Sequence, residues 1–245
     1  MDQMTPKEVI ENGLKESFKD AKGNVYRLHL KPGLPQTELS ELEERLAAPL
    51  PKDVRELLAF TSGFSLQPFG EVDFSAEEMF GLEEILPLGL TIATDGSGNY
   101  WVVDIKKGTG EWGPVLFMSH DPPVAVIQAP DLARFIEQVF DLGRHEHKSQ
   151  LEFVSKTATS RIWSDDPYLL DLGASGIASD PALAEFSNQL PETFRVVDLR
   201  ALEIGSGFAW GRAGANSGIR RYGSELLFGV EAQKSFFSRL LKRTS

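Results

Sequence analysis

Apolar and polar positions along the 245 residues change period several times, and each change marks an element. Val9, Ile10, Leu14 and Phe18 recur at helical spacing behind a Thr5-Pro6 start, which predicts a helix over residues 5–19. Residues 25–30 alternate and predict a short strand between Gly23-Asn24 and Pro32-Gly33. Two more helical stripes follow. Leu39, Leu42 and Leu46 share a face of residues 35–46. Residues 50–60 carry Pro51 in the first turn and Asp53 near the positive end of the helix dipole. Gly63 is expected at the left-handed position that ends this helix.

After Gly63 the period shortens from 3.6 to 2. Residues 71–74 alternate, Ser75 heads a short helical turn over 75–78, and 81–90 read as a loop or short helix. The clearest strand signal is residues 91–94 and 99–105, joined by Asp95-Gly96-Ser97-Gly98, a run whose residues tolerate positive φ in a tight turn. Alternation places Trp101, Val103 and Ile105 on the core face, with Tyr100 and Asp104 on a more polar side. Strands over 114–118 and 124–128 flank His120-Asp121-Pro122-Pro123. Leu132, Phe135, Ile136, Val139 and Phe140 then make one face of a helix over 130–142.

Residues 143–150 are polar and aperiodic, which sets a boundary between a first domain, 1–148, and a C-terminal extension or small second domain, 149–245, of mixed α/β character. In the second part, residues 151–154 extend the preceding helix and 167–172 form a short apolar run. Asp180-Pro181 opens a helix over 181–190, 194–199 read as a strand, and glycine-rich 205–223 reads as loop or irregular structure. Residues 231–242 form a basic amphipathic helix carrying Phe236, Phe237, Leu240 and Leu241.

Charge sharpens this division. The net charge is −11, and all of it lies in residues 1–150, which hold 25 acidic and 14 basic side chains; residues 151–245 hold 11 of each. An acidic first domain argues against nucleic acid, whose phosphates need Lys and Arg, and suits a basic protein partner. No basic residue stands from 56 through 105, while Glu71, Asp73, Glu77, Glu78, Glu83 and Glu84 do. Phe74, Met79, Phe80 and Leu82 interleave with these acids as candidate anchors of a protein interface. The chain has no cysteine, no basic-then-apolar leader and no apolar run near the ~20 residues a spanning helix needs, so a cytoplasmic protein off the membrane is expected. Oligomeric state is not legible.

Taken together, residues about 35–142 resemble the SUKH superfamily, which includes fungal cell-wall-synthesis regulators and bacterial immunity proteins. The resemblance is carried by Glu41-Leu-Glu-Glu-Arg-Leu46, by Leu50-Pro51-Lys52-Asp53 with the helix after it, and by Ser62-Gly63, where the family usually has Asn-Gly. It continues through Asp95-Gly-Ser-Gly98-Asn99-Tyr-Trp101-Val-Val-Asp104, Gly113-Pro114-Val115, Ser119-His120-Asp121 and Phe135-Ile136. It implies an α+β fold with a central, mostly antiparallel sheet and packed helices. It assigns Gly63, Asp95, Gly98, Asn99, Trp101 and Asp104 to the structural motif. It also implies binding rather than catalysis: an immunity protein that neutralises a toxin, such as a nuclease, by direct contact, or alternatively a scaffold or regulatory adaptor in cell-envelope or polysaccharide metabolism.

Rival chemistries fare poorly in the sequence. Asp95, Asn99 and Asp104 lack the alternate-position ligand spacing of a calcium loop and the Glu twelve residues on. Ser119 beside His120 is not the arrangement of a nucleophile and its base, and His145 and His147 lack a third ligand. The loop with Arg212, Arg220 and Arg221 lacks the following helix of a phosphate loop. No catalytic residue, metal or cofactor is expected.

Overall fold

The computed structural model describes residues 4–20, 22–75, 79–144, 149–212 and 217–232. The fold is α+β. Helix α1 (Pro6–Gly13) starts at Thr5, whose side chain accepts from the Glu8 amide while Glu8 reaches back to the Thr5 amide. It stops at Gly13, earlier than the apolar spacing suggests, and Phe18 instead enters a two-residue strand, β1 (Phe18–Lys19), paired with β2 (Val25–Tyr26). Phe18 still reaches the core, 5.4 Å from the Phe140 ring. A short β3 (His29–Leu30) leads into α2 (Gln36–Leu46) and α3 (Lys52–Phe60), which bury Leu39, Leu42 and Leu46 and Val54, Leu57 and Leu58 respectively.

Gly63 does not end α3 in a left-handed turn. It opens β4 (Gly63–Leu66), which pairs with β3 and with β5 (Gly70–Asp73). Glycine is needed there because a Cβ would lie 2.2 Å from the Val72 carbonyl oxygen. The helix end is served by backbone amides: that of Thr61 donates to the Leu57 carbonyl and that of Leu34 to the Leu58 carbonyl, each at 2.8 Å.

The central sheet is an antiparallel meander of β6 (Leu90–Thr94), β7 (Tyr100–Ile105), β8 (Trp112–Ser119) and β9 (Val124–Ala129), extended beyond β9 by β11 (Gly207–Ala209). That last strand lies in the glycine-rich stretch expected to be irregular. Gly207 permits it: a Cβ would stand 2.1 Å from the Ala125 carbonyl oxygen, so only glycine lets the two backbones close.

Alternation along β7 divides the sheet's two faces as expected, but neither face is left to solvent. Trp101, Val103 and Ile105 join the first core, under α1, α3 and α4 (Leu132–Arg144), with Phe64, Phe135 and Phe140 fully buried. The Trp101 indole donates to Gln128 Oε1 at 3.1 Å, and Gln128 donates to Gln138 on α4 at 2.7 Å, so these three buried side chains are paired, while the Trp112 indole N–H in the same core has no partner among the described residues. Ser149 caps a new helix rather than prolonging α4. It runs as α5 (Gln150–Glu152), a π-helical segment (Phe153–Ala158) and α6 (Thr159–Asp165), and adds Leu151, Val154 and Ile162 to the same core.

The second face bears Val102, Leu116, Met118, Ala125 and Ile127. These meet Phe208, Phe228, Val230, Val197 and Leu199 from the C-terminal residues and Phe80, Leu82, Ile85 and Leu86 from the loop before β6. The C-terminal residues form their own sheet, β10 (Phe194–Asp198), β13 (Leu227–Glu231) and β12 (Ile219–Arg221), with β13 in the middle. Helices α7 (Ser175–Ser179) and α8 (Pro181–Gln189), the latter capped by Asp180, close a third core over it. The basic helix expected over 231–242 falls almost wholly outside the described residues. No helix among the described residues is long and apolar enough to cross a membrane.

Candidate protein-binding surface

The motif residues of the β6–β7 turn are occupied by the turn itself. Asp95 Oδ1 accepts from the Ser97 amide at 2.8 Å, and Asp95 Oδ2 accepts from the Asn99 side-chain amide at 2.6 Å. Asn99 Oδ1 in turn accepts from the His120 amide at 2.9 Å, tying this turn to the one between β8 and β9. Gly96 and Gly98 have φ of 74° and 85°, which an L side chain resists. Trp101 is core, 6% exposed and 5.1 Å from the Phe69 and Phe117 rings. Among the described residues no cluster of three or more His, Asp or Glu side chains has the arrangement of a metal site, and no hydrogen bond joins the Ser119 hydroxyl to the His120 ring.

Asp104 has a different partner from any the sequence suggested. Its side chain and that of Arg221 are each only 7% exposed, and they meet in a bidentate pair at 2.8 and 2.6 Å. The guanidinium also donates to the carbonyls of Ile85 (3.1 Å), Ser224 (2.8 Å) and Glu225 (2.8 Å), so all five of its N–H groups are used. Its carbon lies 5.6 Å from the centroid of the Phe228 ring. A buried carboxylate facing a fully satisfied guanidinium is the arrangement in which an interior ion pair is tolerated.

The acidic stretch before β6 is less uniform than its sequence. Lys31, outside the stretch, pairs with both Glu71 and Asp73. Burial pushes the Asp73 carboxyl up, but the Lys31 ammonium and the Ser75 hydroxyl and amide outweigh it and leave the group below the usual aspartate range. Glu83 accepts from the amides of Phe80 (2.7 Å) and Gly81 (3.0 Å) and so shapes the loop; burial raises its pKa, and hydrogen bonds from its own backbone amide and those of Gly81 and Phe80 bring it below the ordinary value. Glu84 is exposed. Glu77 and Glu78 lie outside the described residues. Of the apolar residues interleaved with them, Phe74, Phe80 and Leu82 are buried, Phe80 at 6% exposure, and none is presented to a partner as an anchor.

Met79 is not buried: it is 75% exposed and borders two concave surfaces. One, about 280 Å³, is lined by Leu42, Leu46, Pro87, Leu88 and Leu90 with Arg45 and Glu83 at its polar positions. The other, about 440 Å³, is lined by Tyr100, Met118, His120 and Trp210. Phe80 contributes to both. An exposed thioether between apolar concavities, with half-buried aromatic side chains beside it, is the composition of a protein-interaction surface. Trp210 follows β11, and its amide donates to the Pro123 carbonyl at 2.9 Å. Nothing in the spacing of its glycine-rich neighbourhood marks it in the sequence.

The features now in place, an antiparallel sheet with helices on one face and a β6–β7 turn closed by Asp95 and Asn99, define an α+β domain. Residues 33–138 match the SMI1 / KNR4 family (SUKH-1), in line with the SUKH resemblance read over residues about 35–142. The match ends before the residues that form β10–β13. No curated protein matches the chain.

Proposed function

We propose that this chain is a non-catalytic protein-binding module that captures a basic protein, as an immunity protein does when it neutralises a toxin by direct contact. One observation carries the reading: Met79, the most exposed large apolar side chain among the described residues, stands between two apolar concavities on a loop flanked by acids. Apolar side chains of the partner fill the concavities. Acids around them, Glu84 among those described, speed the encounter and make it salt-dependent. The SUKH-1 match supports a binding module in general; the toxin and the surface are our assignments.

The test is capture of basic proteins encoded beside its gene by the purified full-length chain. Met79→Asp is expected to weaken capture by about 30-fold or more, the effect of losing an interface anchor. Glu84→Lys is expected to slow association several-fold at low salt while leaving stability within about 0.5 kcal/mol. Capture unchanged by Met79→Asp would remove this surface from the interface. Recovery of polysaccharide-synthesis enzymes instead would favour an adaptor.

A further inference from the structure

The same surface is not made by the SUKH part alone. Two independent contacts bring the C-terminal residues to it. Trp210 forms a wall of the larger concavity. Arg221 reaches past β7 and donates to the Ile85 carbonyl, in the middle of the loop that carries Met79 and lines the smaller one. The Ile85 carbonyl, the Asp104 carboxylate and the turn before β13 (Ser224 and Glu225) converge on one guanidinium and have no covalent link to one another nearer than the loops between them. A guanidinium has five donors in a fixed plane, so it can hold three segments in one relative position; an ammonium has three donors and no fixed plane, and cannot make these five bonds.

We infer that Arg221 is a positioning residue for the Met79 loop. Clamped between Asp104 and the Ile85 carbonyl, it lets the C-terminal sheet set the shape, and so the specificity, of a binding surface whose other residues, Trp210 apart, lie in the SUKH segment. The inference rests on the binding role proposed above, but its test does not need the partner. Asp104 acts here through Arg221: its carboxylate orients the fork and balances its charge. The latch also accounts for an acid at this buried position of the sheet's second face, where the neighbouring β7 residue, Val102, is apolar.

The experiment is amide hydrogen exchange on the full chain, comparing the native protein with Arg221→Lys and Asp104→Asn. The first keeps a cation and loses the fork; the second keeps the shape of the acid and loses its charge. Both are expected to raise exchange at least tenfold in residues 82–90 and 222–226, with α1, α3 and α4 unchanged. Binding of a captured partner should weaken in parallel, and restoring native exchange should restore it. Unchanged exchange in 82–90 would overturn the inference. So would an equal rise through α4 and β8, or failure of both variants to fold, because the pair would then be a general stability contact. Absence of any protein partner, with the exchange result intact, would instead count against the proposed function and leave the latch standing as a structural coupling.

Discussion

The two faces of the central sheet are built by different means. On the first, helices α1, α3 and α4 supply a continuous apolar layer in which Phe18, Phe64, Phe135 and Phe140 interlock, and the buried Trp101, Gln128 and Gln138 side chains form a short hydrogen-bonded chain. On the second, most of the cover comes from residues of the C-terminal sheet, far along the chain, and one of its fastenings is a buried ion pair between residues 117 positions apart. Apolar packing is non-directional and tolerates small shifts. A bidentate pair with three further carbonyls does not. The first face therefore holds the domain together, and the second holds particular segments, the Met79 loop among them, in particular places.

Substitutions break this comparison in order of size. Phe140→Ala removes a fully buried ring that touches Phe18 and Phe64, and should cost about 3–5 kcal/mol, seen as a lowered denaturant midpoint across every probe. If only the C-terminal residues loosened, the first face would not be the common foundation. Gly207→Val sets a side chain against the Ala125 carbonyl and should cost about 1–3 kcal/mol, with exchange rising in β11 and β9 and at Trp210 before it rises in α4. A uniform change would show that the two faces are not separable. Gly98→Val imposes a β-branched residue on φ of 85°, for about 1–3 kcal/mol, and should disturb the Asn99–His120 link between the two turns. An unaltered melting temperature would mean that the turn adopts another form in solution.

Legibility in the sequence follows the same division. Helices α2, α3 and α4 were readable because each buries one stripe of its own residues at a regular period; the strands from β6 to β9, buried on both faces, were readable as runs dense in aromatic and β-branched residues between turn signals, and the turn between β6 and β7 announces itself through Asp95, Gly96 and Gly98. What could not be read was anything that depends on distant pairing. Strand β11 is three residues long and its glycine looks like loop chemistry until Ala125 stands opposite. Arg221 and Asp104 are 117 positions apart, and each alone reads as a surface charge. Lys31 pairs with Glu71 and Asp73 from outside the acidic stretch and offsets one of their two charges, so a charge run in sequence overstated the charge on the surface. Phe80 and Met79 are neighbours of similar hydrophobicity, and only the loop shaped by Glu83 decides that the first is buried and the second presented.

The most direct measurement is the hydrogen-exchange footprint of a captured basic partner on the full-length protein. Protection is expected over residues 79–90, over Tyr100 and His120 and at Trp210, with α1 and α3 unaffected. Protection confined to the helices of the first face, with 79–90 exchanging as in the free protein, would contradict a binding surface centred on Met79.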